Sequence, residues 1–163
     1  MHVSFFILLS YKCHFRQDHT RVTGMIDQLY QKSILKYAAL AIGHGKKEDA
    51  THILTLQNTT CGDKITVYVN LEENKITLFQ HEVEACVLCQ ASSSILSESI
   101  DTLNLSQLQD IYDSLTEGLK AGDLSIFNDT PLEKLTLFSP VSDHPNRHKC
   151  VTLPLEAILK AIK

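Results

Sequence analysis

No block of lysine and arginine stands out in this chain, and that absence removes one class of partner first. Binding a phosphate backbone takes clustered basic side chains. Here 15 Lys and Arg are set against 19 Asp and Glu for a net charge of −4, so nucleic acid is not expected as a partner. Long apolar runs are also missing. The stretch from Val3 to Leu9 in "MHVSFFILLSYKCHF" is far too short to cross a bilayer. It has no basic n-region and no A-x-A-like cleavage site, so it does not read as a signal peptide. The expectation is a cytoplasmic protein with no membrane partner. There is no internal repeat and no low-complexity tract. The five cysteines are an odd number with no evenly spaced pairs, which argues against the disulfide framework of a secreted domain.

What is present fits one soluble domain. The chain has 163 residues, 44% hydrophobic and 21% charged, enough to bury a core. Residues 1–24 turn polar after their apolar start ("RQDHTRVTG") and read as an N-terminal extension or a misassigned start, disordered or loosely packed. The domain is expected to run from 25 to 163.

From Met25 to Ala41 the apolar residues recur at helical spacing. "GHGKKEDA" then breaks the pattern. Three strand-like segments follow: "THILTLQN", "DKITVYVNL" and "NKITLFQHE", the last two joined by the short "EEN" turn as an antiparallel hairpin. A helix rich in small residues is expected over 86–99 and a second from about Ser106 to Leu119. Residues 124–148 read as a long connector with one helical turn near "PLEKL". The last segment, "CVTLPLEAILKAIK", reads as a helix opened by Cys150, with Pro154 tolerated in its first turn. This order predicts an α+β fold, a three-stranded antiparallel sheet with helices packed on it.

Three cysteines sit at element boundaries. Cys61 lies in the loop "NTTCGDK", Cys86 opens a helix, and Cys150 opens the last one. Helix N-termini favour thiolates, because unpaired N–H groups and the helix dipole attract negative charge. Gly62 permits a sharp turn, and Asp63 is placed to add a carboxylate beside Cys61. Three thiolates and one carboxylate could hold zinc, or iron and sulfide. Cysteines buried as small apolar residues remain the alternative. Cys86 and Cys89 also make a C-x-x-C pair, which elsewhere serves as a redox dithiol; the βαβ context of such motifs is missing.

The segment "NTTCGDKITVYVNLEENKITLFQHEVEACVLCQASSSIL", followed by "RHKCVTLPLEAILKAI", resembles the U-type iron–sulfur scaffold family of IscU, SufU and the N-terminal domain of NifU. The marks are Cys61-Gly62-Asp63, Ala85-Cys86, the small residues Ala91 to Ser94, and Cys150. The long gap before Cys150 and the "RHKC" sequence are similar to the SufU branch. There is no L-P-P-V-K segment, so the Hsp70 partnership of IscU is not implied. The family's N-P-R-N stretch is replaced by "YAALAIGHGKKED", and Cys13 and Cys89 have no family counterpart.

The resemblance implies iron–sulfur cluster assembly of the SUF type. Cys61, Asp63, Cys86 and Cys150 would bind zinc at rest or a transient [2Fe–2S] cluster. Cys61 would accept persulfide sulfur from a SufS-like cysteine desulfurase, and apo-proteins would receive the cluster. The chain would act as scaffold or sulfur acceptor rather than as an enzyme by itself. Arg147 would position Asp63 or the incoming sulfur, unless it is a solvated loop residue. His81, His144 and His148 are expected to be solvated rather than ligands, with His148 the nearest substitute. The rival class is a structural zinc module without sulfur chemistry.

Overall fold

The structure, a computed structural model, describes residues 31–163. The proposed extension 1–24, Cys13 within it, and the first turns of the helix expected from Met25 lie outside the described residues. Helix α1 is described over residues 31–40 and buries Ile34 and Ala38, four positions apart and so on one face. It ends where Ala41 adopts a left-handed φ of 46°.

Three strands follow: β1 (His52–Gln57), β2 (Lys64–Glu72) and β3 (Lys75–Glu84). They form one antiparallel sheet in the order β1-β2-β3. Leu54 pairs with Val67, and Val67 with His81. Alternation in β2 buries Ile65, Val67 and Val69 completely under the helices.

Helix α2 (Val87–Ser99) begins directly after β3, with Cys86 as its N-cap residue in extended conformation. Ser92, Ser93 and Ser94 are buried in it without cost, because each hydroxyl is used. Ser92 donates to the Val151 carbonyl, Ser93 to that of Cys89, and Ser94 accepts the Ile42 N–H. Helix α3 (Leu105–Ala121) starts with a capping box between Asn104 and Gln107 and ends at Gly122, whose φ of 77° suits only glycine well. Leu108, Leu115 and Leu119 form its buried face.

The connector departs from the loop expected. Eleven of its residues, Glu133–Asp143, form a 3-10 helix. Leu132, Leu135, Phe138 and Val141 are all buried. Their spacing of three matches the three residues per turn of that helix, so one apolar row faces the core.

Helix α4 (Pro145–Ala161) packs against α2, α3 and the sheet. It opens at Pro145, five positions before the expected start, since proline's fixed φ suits a first helical position. Cys150 therefore lies in the second turn, and Pro154 is interior. Pro154 has no N–H to give the Cys150 carbonyl four residues back, while the next carbonyl, Val151, receives the Ser92 hydroxyl at 2.7 Å. No helix among the described residues is long and apolar enough to cross a membrane.

Candidate metal centre

The turn between β1 and β2 is wound around Asn58. Its N–H donates to the Asp63 carbonyl at 2.7 Å, and its carbonyl accepts from Gly62 at 2.9 Å. Its side-chain oxygen accepts the Thr60 N–H at 3.1 Å, an Asx turn. Gly62 closes the loop at φ 77°. The remaining amide N–H of Asn58 is aimed at Cys61 Sγ, 2.8 Å away. Asn58 was not singled out from the sequence. An Asn three residues before a cysteine in a Thr-rich turn was the available signal.

Asp63 ties this turn to α2. Its Oδ1 accepts the Cys86 main-chain N–H at 2.8 Å, and its Oδ2 lies 3.3 Å from Cys86 Sγ. From the other side α4 brings Cys150, whose sulfur lies 3.3 Å from that of Cys61. One ligand atom each of Cys61, Asp63 and Cys150 falls within 4.8 Å of the others. Cys86 adjoins the group through Asp63. Residues from three parts of the chain thus meet around the Asp63 carboxylate.

Burial at the centre is graded. Cys150 and Asp63 are buried, while Cys61 and Cys86 are half-exposed. Burial works to raise the Asp63 pKa, but hydrogen bonds from Cys61, Cys150 and Cys86 outweigh it and hold the carboxyl below its ordinary value. Burial also pushes the Cys86 thiol up; the Cys89 backbone N–H opposes the rise and Asp63 adds to it. Cys150 is pushed up by burial, then by its hydrogen bonds to Asp63 and Cys61. The helix-dipole expectation is therefore corrected at both cysteines. At Cys86 burial wins over the N-terminal field, and Cys150 does not sit at a helix start. The Asp63 carboxylate therefore faces two thiols, Cys86 and Cys150, that burial biases toward the protonated form and that a bound cation would have to deprotonate.

The donor set fits such a cation. Sulfurs sharing a tetrahedral zinc with bonds of about 2.3 Å lie about 3.8 Å apart. The Cys61–Cys150 pair at 3.3 Å needs only a small separation to reach that geometry.

The other candidates fall elsewhere. Cys89, one turn beyond Cys86, is completely buried among apolar side chains, which separates the C-x-x-C pair into two unrelated cysteines. Arg147 is exposed and makes no side-chain hydrogen bond or ion pair among the described residues. His144 is exposed, and His148 Nε2 lies against the Ser142 carbonyl at 3.1 Å. His81 departs from the solvated state expected of it: it faces the core from β3 and is 3% exposed.

Comparison with known proteins bears on the family and the fold. The chain is 32% identical over 135 residues to a Thermotoga maritima protein named iron-sulfur cluster assembly scaffold protein IscU, covering 83% of this chain and 93% of that one. It is 25% identical over 140 residues to a Bacillus subtilis protein named zinc-dependent sulfurtransferase SufU, covering 84% and 91%. The crystal structure of a NifU-like protein (N-terminal) from Brucella abortus superimposes with a TM-score of 0.76 at 30% identity, covering 85% of this chain and 94% of that one. The family model described as NifU-like N terminal domain matches residues 29–151, which include Cys61, Asp63, Cys86 and Cys150, and the chain belongs to that family.

Proposed function

We propose that this chain is an iron–sulfur cluster assembly protein of the SUF type, taking sulfur from a cysteine desulfurase at Cys61 and carrying a [2Fe–2S] cluster as cargo. The observation that carries the proposal is the meeting of Cys61, Asp63 and Cys150 within 4.8 Å, with Cys86 bonded to the same carboxylate. Family membership and the names of the relatives support it. Bound to these four residues, zinc would keep the sulfurs as thiolates and shield them from oxidation.

Each residue then has a task. Asp63 anchors the start of α2 through the Cys86 N–H and offers its carboxylate as the single oxygen donor. Cys150 is the fixed ligand, held in a helix and fully buried. Cys61 is the acceptor, because it is half-exposed on a glycine turn and a partner can reach it. Its thiolate attacks the outer sulfur of the desulfurase persulfide. A sulfur–sulfur bond forms at Cys61, the donor's sulfur–sulfur bond breaks, and the donor cysteine leaves as a thiolate. Asn58 fixes where the Cys61 sulfur points.

The test is sulfur transfer from isotopically labelled cysteine by a SufS-like desulfurase, with bound metal measured in the same samples. The expected result is label on the parent, none on Cys61→Ser, and unchanged transfer with Cys89→Ser. Stable zinc with no label on the parent would instead make the centre a structural staple.

A further inference from the structure

The loop after α1 is fastened to β3 at one residue, His81. The His81 N–H donates to the Gly43 carbonyl at 2.9 Å, and the Gly45 N–H donates to the His81 carbonyl at 2.9 Å. The His81 ring joins in, with Nε2 3.0 Å from the Ile42 carbonyl. Ile42 is itself held by Ser94 of α2 at 3.0 Å. Gly43 sits so close to Ser97 that a Cβ there would come within 2.3 Å of its Oγ. These contacts fix the loop and set the His44 ring 6.2 Å from that of His81, centre to centre.

A fastening needs only one of the two His81 nitrogens. A carbonyl can only accept, so Nε2 carries the proton and Nδ1 is left as a bare acceptor. That Nδ1 is buried and has no hydrogen-bond partner. An unmet buried acceptor carries a desolvation penalty that an apolar side chain would not incur. Both histidines line one cleft of about 270 Å³ with Ala38, Ala41, Val83 and Gln90. The two alanines leave the room.

We propose that His44 and His81 form a second metal site, distinct from the thiol centre, that takes a borderline first-row cation such as Zn²⁺. The tautomer is that of a ligand: one ring N–H is held by a backbone carbonyl and the other nitrogen is bare. The spacing is within reach. Metal–nitrogen bonds of about 2.0–2.1 Å put each ring centre roughly 3.2 Å from the ion, so two rings on one tetrahedral ion lie about 5 Å apart. The observed 6.2 Å leaves roughly 1 Å to close, which a turn of the exposed His44 ring can supply. Imidazole donors without thiolate suit zinc, nickel or copper and not calcium or magnesium. Burial lowers the His81 pKa to about 4, so no proton competes for its nitrogen at neutral pH. His44 is exposed and gives the ion its way in.

Calorimetric titration of the full chain with Zn²⁺ tests this, with His44→Ala, His81→Phe and Cys61→Ser alongside. The parent is expected to take two equivalents. His44→Ala and His81→Phe weaken the second by at least about tenfold and leave the first intact. Cys61→Ser does the reverse. In an imidazole-tuned ¹H–¹⁵N spectrum, the Nδ1 signal of His81 moves with the second equivalent. His44→Ala alters an exposed side chain, so it decides the matter even if His81→Phe does not fold. A parent that takes one equivalent only, or a second equivalent that survives His44→Ala, overturns the proposal.

Discussion

Acidification should destabilise the metal-free protein through His81 in particular. In the unfolded chain this histidine titrates near its ordinary 6.5; in the fold, burial lowers it to about 4, with the Ile42 carbonyl opposing and His44 adding to the fall. Above 6.5 neither state binds the proton and stability is complete. As pH falls through the window from 6.5 to 4, the unfolded chain takes a proton that the folded one refuses, and stability is lost. The loss amounts to about 2 kcal/mol at pH 5 and about 3 kcal/mol below pH 4. For a chain of this size the pH 5 figure corresponds to a fall of roughly 4–8 °C in Tm. The assay is urea unfolding between pH 7 and pH 5 in the presence of a chelator, comparing the parent with His81→Phe. The other histidines and the carboxylates titrate in both proteins, so they cancel in the difference. Parent and variant with the same pH dependence would refute the reasoning.

Three further outcomes are expected. Cys86 and Cys150 both have thiols pushed up by burial, so zinc must displace at least two protons. Zinc affinity should rise about a hundredfold per pH unit between pH 6 and pH 8, read by chelator competition. Cys61→Ser, Cys86→Ser, Cys150→Ser and Asp63→Ala should each weaken zinc strongly, whereas Cys89→Ala should leave zinc binding alone and cost about 1–2 kcal/mol of stability by opening a small cavity. Gly43→Ala should cost at least about 1–3 kcal/mol in thermal unfolding, because it combines a φ of 76° with the collision against Ser97.

Much of the fold was legible because it is written in local periodicity. Alternation in "KITVYV" gave β2, and the helical row Leu105, Leu108, Ile111, Tyr112, Leu115 and Leu119 gave α3, of which Leu108, Leu115 and Leu119 are buried. The start of α4 was misread for a local reason too. "HPNRH" has no apolar periodicity, so only the proline signalled the first turn, and the helix was placed where apolar residues resume. The 3-10 connector had a signal of its own, Leu132, Leu135, Phe138 and Val141 at intervals of three, which matches neither the helical nor the strand period. At the centre, the resemblance carried by "CGD", "EAC" and "RHKC" pointed to Cys61, Asp63, Cys86 and Cys150, and the fold brings Cys61, Asp63 and Cys150 into one group with Cys86 bonded to Asp63 beside it. Asn58 and the burial of His81 escaped it.

The sequence alone determined the kinds of donor available, the hairpin that carries Asp63 toward Cys86, and the family those motifs belong to. Tertiary structure decided which of them meet. Cys61 and Cys150 stand 89 positions apart, and no local period links them; they touch because α4 packs across the sheet. Cys86 and Cys89 are neighbours in sequence, yet Cys89 lies one helical turn deeper, packed into the core. Charge state was likewise a property of the fold, since burial, which no single segment encodes, pushes the Cys86 and Cys150 thiols up and keeps the His81 ring neutral.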